Sequence, residues 1–224
     1  MKVKLIACTQ PIKGAIIGID SMQDLISYCA KVSNPNGQMN MESADKLLNY
    51  LMKHKHWSPF EMASATIEIE TTRDIARQLL RHRSMAFQEF SQRYADPQSM
   101  ENSFVVREAR MQDPKNRQNS IPTDDIVLKA WWDAQQKFLL EHTKRIYNEA
   151  IEYGIAKEQA RCILPEGNTV SRLYANASIR SWIHYIELRS GNGTQLEHME
   201  LAHAVADAIT KIFPLAEDFK NNAI

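Results

Sequence analysis

Between Arg81 and Arg93 the chain reads RHRSMAFQEFSQR, thirteen residues that hold three arginines, a histidine, a glutamate and two serines. Fixed cations, one carboxylate and short hydroxyls in such density suit a small ligand that is anionic at one end and rich in polar edges elsewhere. If the chain is extended after Phe87, alternation puts Glu89, Ser91 and Arg93 on one side and Gln88, Phe90 and Gln92 on the other. Arg93 can then fork two phosphate oxygens, Ser91 and nearby backbone N–H groups can donate to the others, and Arg81 adds charge. Glu89 repels phosphate, so it is expected to accept from a base or ribose. The helix expected to precede this stretch, from Arg73 to about Arg83, carries Arg73, Arg77 and Arg81 at i, i+4 and i+8. By itself that spacing describes a solvated arginine stripe.

These residues need a frame. Residues 2–8 alternate as a short strand, and 20–32 read as a helix capped at Asp20 or Ser21. A second helix is expected from Glu42 to Lys53, followed by the loop HKHWSPF. Ala63, Ala65, Ile67 and Ile69 alternate with Ser64, Thr66, Glu68 and Glu70, the period of a half-buried strand, and Thr72 is placed to cap the next helix. ENSFVVREAR, from Glu101 to Arg110, reads as a strand within an otherwise polar stretch. A long helix follows from about Thr123, with Thr123 as its cap, to Tyr153. Beyond it lie a short helix at 156–162, a strand at 168–174, a helix at 178–189 and a last helix at 194–212 that Pro214 ends. The class is α+β, an antiparallel-type sheet flanked by long helices, in one domain spanning 1–224.

Composition narrows the function. Lysine plus arginine equals aspartate plus glutamate at 27 each, so nothing points to a long polyanion such as DNA as the main partner. Cys8, Cys29 and Cys162 are an odd number at wide separation, which suits a reducing compartment better than a disulfide framework or a zinc site. No window approaches a membrane span or a signal peptide, so a cytoplasmic protein without membrane contact is expected. GxGxxG and GxxxxGK[ST] are both absent, so side chains must hold any bound nucleotide.

Arg81-His82-Arg83, then Ser91, with Glu89 two before it and Arg93 two after, resembles the signature of the flavin-dependent thymidylate synthases, often called ThyX. Gln78, the run His56-Trp57-Ser58-Pro59-Phe60-Glu61, and RCILPEGNTVSRLYANASIRSWIHYIELR from Arg161 to Arg189 are similar to other blocks of that family. Two departures stand out: Met62 takes the place of a common histidine, and the chain is one residue longer than usual around Glu166-Gly167-Asn168. The resemblance implies methylation of dUMP to dTMP, with methylenetetrahydrofolate as one-carbon donor, NADPH as reductant and bound FAD between them, in a homotetramer whose sites lie between subunits. It implies Ser58, Arg81, His82, Arg83, Glu89, Ser178, Arg180 and His184 as flavin contacts. It implies Gln78, Arg81, Glu89, Phe90, Ser91, Gln92, Arg93, Arg161 and Arg189 as nucleotide contacts, and His56 on the folate or flavin side. Arg189 is the residue placed at the uracil ring, where a permanent cation stabilises an anionic base and enriches C5.

Plainer readings stand beside these. Cys162 in the apolar run CIL is expected to be a buried, inert thiol. No metal site is expected from His54 and His56, or from His198 and His203, which at i, i+5 do not share a face. Trp131 and Trp132 on the long helix read as core or subunit interface rather than stacking platforms. Two other functions remain open from sequence: an RNA-phosphate binding module, against which the neutral charge speaks, and a relative that binds flavin and nucleotide but has lost the folate reaction.

Overall fold

The computed structural model describes residues 1–191 and 193–221. The domain expected over 1–224 therefore includes Asn192 and residues 222–224, which lie outside the described residues. Its centre is a four-stranded sheet in the order β1-β2-β6-β3, formed by β1 (Lys2–Cys8), β2 (Ser64–Thr72), β6 (Val170–Ser178) and β3 (Ala86–Glu89). Every pairing is antiparallel. The alternation in β2 does what its pattern demands: Ala65, Ile67 and Ile69 are buried opposite Ala177, Ala175 and Leu173 of β6.

The opposite face is a polar ladder. Directly paired residues bond across the strands, Tyr174 Oη donating to Glu68 at 2.7 Å and Asn176 Nδ2 to Thr66 Oγ1 at 2.7 Å. Arg172 faces Glu70 in the same way. The apolar face is covered by α1 (Met22–Ala30), α2 (Ala44–Lys53), α6 (Ile179–Arg189), α7 (Leu196–Thr210) and α8 (Glu217–Asn221). Trp182 of α6 is fully buried there, and its indole donates to the Ala65 carbonyl at 3.1 Å. Leu201, Ala202, Val205 and Ile209 make the buried stripe of α7.

Several boundaries differ from the sequence expectation. Ser21, not Asp20, caps α1, closing a capping box with Asp24. Thr72 precedes α3 (Arg73–Leu79) without a capping bond, because its hydroxyl accepts from Arg107 Nη2 at 2.7 Å. The strand expected over 101–110 does not form apart from one bridge, Phe104 to Thr169. Its backbone finds other partners: Val105 exchanges bonds with Asn168, and the Gln136 amide bonds both the N–H and the carbonyl of Arg107. A small hairpin, β4 (Arg110–Gln112) with β5 (Ser120–Pro122), occupies part of the stretch read as loop.

The long helix, α4 (Ile126–Glu152), is capped by Asp125, while Thr123 instead accepts from the Asp125 N–H. Leu140, Thr143 and Tyr147 bury one side of it, whereas Ile126, Val127, Trp131 and Phe138 are exposed at 55–80 %. Neither Trp131 nor Trp132 is core in the protomer, so of the two readings given to them the core one is removed. Cys162 is exposed, contrary to the buried thiol expected. It lies in the 3-10 turn Arg161–Ile163 that follows the single-turn helix α5 (Lys157–Ala160), so its segment meets solvent rather than the core.

Candidate active site

The expected helix to Arg83 ends four residues early, at Leu79. From there the chain turns through i to i−3 bonds, Arg81 N–H to Gln78 O, His82 N–H to Leu79 O and Met85 N–H to His82 O, to feed β3 at the sheet edge. This turn separates its residues into two sides. His82 points inward: its Nε2 accepts from Arg189 Nε at 3.2 Å, and its ring stands edge-on to Tyr185 at 5.0 Å. Burial, reinforced by the charges of Arg189 and Arg81, pushes the His82 pKa down to about 4. The imidazole is therefore neutral near pH 7, which is what a ring accepting from a guanidinium must be. Arg81 and Arg83 point outward, exposed and without an ion-pair partner among the described residues.

At the other end of α3, Arg73 is half-buried and Arg77 exposed, and both are ion-paired rather than simply solvated. Arg77 Nη2 donates to both Glu89 oxygens at 2.7 and 2.8 Å, and Ser171 Oγ donates to Glu89 Oε1 at 2.8 Å. Glu166 holds the same two arginines, through Arg73 Nε and Arg77 Nε, each at 3.3 Å. The segment around Glu166 thus supplies a carboxylate to this cluster. Glu89, expected to face a base or ribose, is committed within the protomer to Arg77 and Ser171.

The expected alternation through Arg93 also fails, because β3 stops at Glu89 and the chain turns, with Tyr94 N–H and Ala95 N–H both bonding the Ser91 carbonyl. Arg93 swings out to Glu158, 3.2 Å away, instead of standing beside Ser91. The turn nevertheless gathers much of the nucleotide set. A recess of about 230 Å³ is lined by Arg73, Arg77, Glu89, Phe90, Ser91, Gln92 and Arg161. Arg73 and Arg77 are balanced there by Glu89 and Glu166, so the positive charge left in its walls is that of Arg161.

A second cluster forms around the 3-10 turn Ser58–Met62. Arg180 Nη1 bonds Glu61 Oε1 at 3.0 Å, and the His184 ring meets Trp57 edge-on at 4.7 Å. Burial, then the Arg180 charge, lowers the His184 pKa. Ser58 is exposed beside them. The Tyr50, His54 and His56 rings lie together at the end of α2, with centroids 4.2–6.4 Å apart, and Lys55 between the histidines has a left-handed φ of 58°. Ser178 is a structural cap: its hydroxyl accepts from Ser181 N–H at 3.3 Å and meets Ser181 Oγ at 3.2 Å. That spends much of the capacity expected for a flavin.

Arg189 lies nine residues beyond Arg180 on α6, half a turn away around the axis, so α6 sends Arg180 and Arg189 to opposite sides. Sequence reasoning missed Arg73, Arg77 and Glu166, and also His198, which bonds Gln78 from α7. The spacing of the arginines was visible, but their carboxylate partners come from distant segments. A wider recess, about 670 Å³ between the β4–β5 hairpin and α4, is lined by Arg110, Trp131, Trp132 and Gln195 and by none of the expected flavin or nucleotide residues.

The family of thymidylate synthase complementing proteins matches residues 17–215. The chain is 49 % identical over 214 residues to a probable flavin-dependent thymidylate synthase of Paramecium bursaria Chlorella virus 1, covering 96 % of each. It is 48 % identical over 217 residues to a flavin-dependent thymidylate synthase of Synechocystis, again over 96 % of each. Its fold is similar to that of PolB, a UMP/dUMP methylase from Streptomyces cacaoi solved with 5-Br dUMP, with a TM-score of 0.80 and 26 % identity over 97 % of this chain and 93 % of that one. With its two motif blocks joined by the Arg189–His82 bond and relatives matching almost end to end, the chain belongs to the flavin-dependent thymidylate synthase family.

Proposed function

We propose how this family member, which makes dTMP from dUMP with a bound flavin, uses its own residues to do so. The observation that carries the reading is the bond between Arg189 and His82, which brings the two motif blocks together although 107 residues separate them. His82 takes the Nε–H of Arg189 and leaves the terminal Nη groups free to face the uracil. A neutral His82 is essential to that role, because an imidazolium would lose the accepting lone pair and repel the guanidinium. Arg189 stabilises negative charge on the base, which makes C5 nucleophilic toward the one-carbon unit. As the methylene joins C5 its two bonds to the donor nitrogens break and the donor leaves as tetrahydrofolate; the methylene becomes a methyl group by gaining one hydride equivalent, and the C5 hydrogen leaves as a proton.

The recess around Ser91, Gln92 and Arg161 seats the 5′-phosphate, with Arg161 supplying the positive charge. Glu89 competes for Arg77, so phosphate is drawn first to Arg161 and to the N–H groups of the turn. FAD supplies the redox step when bound. The donor set fits such a group: Arg81 and Arg83 are exposed cations with no carboxylate partner among the described residues, and Ser58, Arg180 and His184 form a second polar patch. Because α6 sends Arg180 and Arg189 to opposite sides, we read the complete site as shared between copies of the chain in a homotetramer. The exposed apolar side of α4 supports association. Methylenetetrahydrofolate as donor, with His56 on its side of the flavin, NADPH as reductant and a cytoplasmic setting complete the proposal.

The test is a visible absorption titration of FAD-loaded protein with dUMP, with UMP as the control suggested by the PolB likeness. A saturable change in the flavin bands with dUMP supports one shared site and leads to a dTMP assay with methylenetetrahydrofolate and NADPH. Retained flavin with no response to dUMP would sink the substrate reading.

A further inference from the structure

Gln78 sits at the last turn of α3, and its amide is held from two sides. His198 Nδ1 lies 3.1 Å from Gln78 Oε1, and Gln78 Nε2 donates to Gln195 Oε1 at 2.8 Å. Gln195 Nε2 in turn donates to Glu197 Oε2 at 3.0 Å, and the other Glu197 oxygen faces the Arg110 guanidinium. These partners come from the segment that opens α7, 117 and 120 residues beyond Gln78.

The chemistry at one end fixes the polarity of the whole chain. A carboxylate paired with a guanidinium only accepts, so Gln195 must turn its NH2 toward Glu197 and its oxygen toward Gln78. Gln78 must then turn its own NH2 toward Gln195 and its oxygen toward His198. His198 must carry its proton on Nδ1. Burial, with the charges of Arg189 and His82 adding to it, holds the His198 pKa down to about 3, so the ring has one proton to place. Its Nε2, a bare acceptor in that tautomer, is buried and has no hydrogen-bond partner among the described residues. His198 itself is 0 % exposed, so water does not compete for its N–H.

We propose that His198 and Gln195 are positioning residues for the nucleotide: together they lock the Gln78 amide in one of its two orientations, so that it presents its remaining N–H to an acceptor on dUMP. Flipping Gln78 sets its NH2 against the His198 N–H and its oxygen against the Gln195 oxygen, losing both bonds. The role rests on the reading of Gln78 as a nucleotide contact, and it gives a task to a buried histidine that the chemistry at Arg189 leaves unused.

Three variants of the FAD-loaded protein test it: His198→Leu, His198→Asn and Gln195→Met. Each is titrated with dUMP through the flavin bands, and its KM for dUMP, kcat and FAD retention are measured. His198→Leu removes the donor and is expected to weaken dUMP binding about tenfold, the worth of one buried hydrogen bond. His198→Asn places an N–H near the old Nδ1 and is expected to stay within about threefold of the parent, a difference of under 1 kcal/mol. Gln195→Met, at a half-buried position, raises the KM for dUMP without loss of FAD. Equal weakening by Leu and Asn at 198, or parent-like dUMP binding by folded His198→Leu and Gln195→Met, overturns the positioning role. Should His198→Leu fail to fold, Gln195→Met decides alone. An unaltered protein that keeps FAD but ignores dUMP overturns the substrate reading and this role with it, and is distinguishable because no variant is then involved.

Discussion

Gln78 and His82 lie on the inner side of the turn that ends α3, and Arg81 and Arg83 on its outer side. The inner pair is already held in place: His82 by Arg189 and Tyr185, Gln78 by His198 and Gln195. The outer pair is exposed and has no carboxylate within reach among the described residues. One short segment therefore holds groups whose geometry is set before any ligand arrives beside groups that wait for an anion. Preorganised polar groups stabilise developing charge without reorganising at the moment of reaction, whereas exposed cations capture ligand and add on-rate. The inner side is thus read as the place of chemistry and the outer side as the place of retention.

The largest test of that division is Arg189→Lys. It keeps the charge but cannot both donate to His82 and fork toward the base. Turnover is expected to fall about 10²–10³-fold, the scale for losing a donor at developing charge, with FAD retention nearly unchanged. Equal losses in both would break the division.

Acid probes the inner side next. His82 and His198, with folded pKa values of about 4 and about 3, lie below the ordinary 6.5. As pH falls below about 6.5 the unfolded chain takes up protons that the folded chain refuses, so stability drops with pH. The His82 share ends near pH 4 and the His198 share near pH 3, and above pH 7 neither contributes. The fully buried His198 alone is expected to remove about 3 kcal/mol at pH 4. Urea unfolding across this range should show the slope, and His198→Leu should flatten it.

On the outer side, Arg83→Ala is expected to weaken FAD retention about tenfold while changing stability by no more than about 0.5 kcal/mol, the usual surface value. Equilibrium dialysis and thermal unfolding read the two separately. Loss of fold instead of flavin would move Arg83 to the inner class. The smallest effect is expected from Cys162→Ala: the mechanism needs no thiol, and the side chain is exposed, so dTMP formation should stay within about twofold. Abolished activity in the folded variant would require a new role for sulfur beside Arg161.

What the sequence revealed of this arrangement follows the range of the forces involved. Alternation in β2 and the apolar stripe of α7 were legible because a half-buried strand and an amphipathic helix write their burial into local period. The cap at Ser21 was one of two candidates and only the structure chose it. The end of α3 at Leu79 was not legible: no glycine or proline marks it, and the chain leaves the helix to reach the sheet edge. The same local blindness led period two past Glu89, where a turn takes over. The motif resemblance supplies the candidate site residues, and of these His82 and Arg189 are bonded to each other while Gln78 is held by His198. Their supporting partners, Glu166 for Arg77 and His198 for Gln78, are 89 and 120 residues distant in sequence, and no short-range pattern records such pairs.

The exposure of Trp131 and Trp132, 55 % and 38 %, has an optical consequence. Trp182 is fully buried and hydrogen-bonded to the sheet, so its emission is that of a shielded indole until the core opens. The two neighbours on α4 emit as wet indoles in a lone protomer and shift to the blue when another surface covers them. Dilution and denaturant should therefore move different parts of the fluorescence spectrum, allowing assembly and folding of the unlabelled chain to be followed separately.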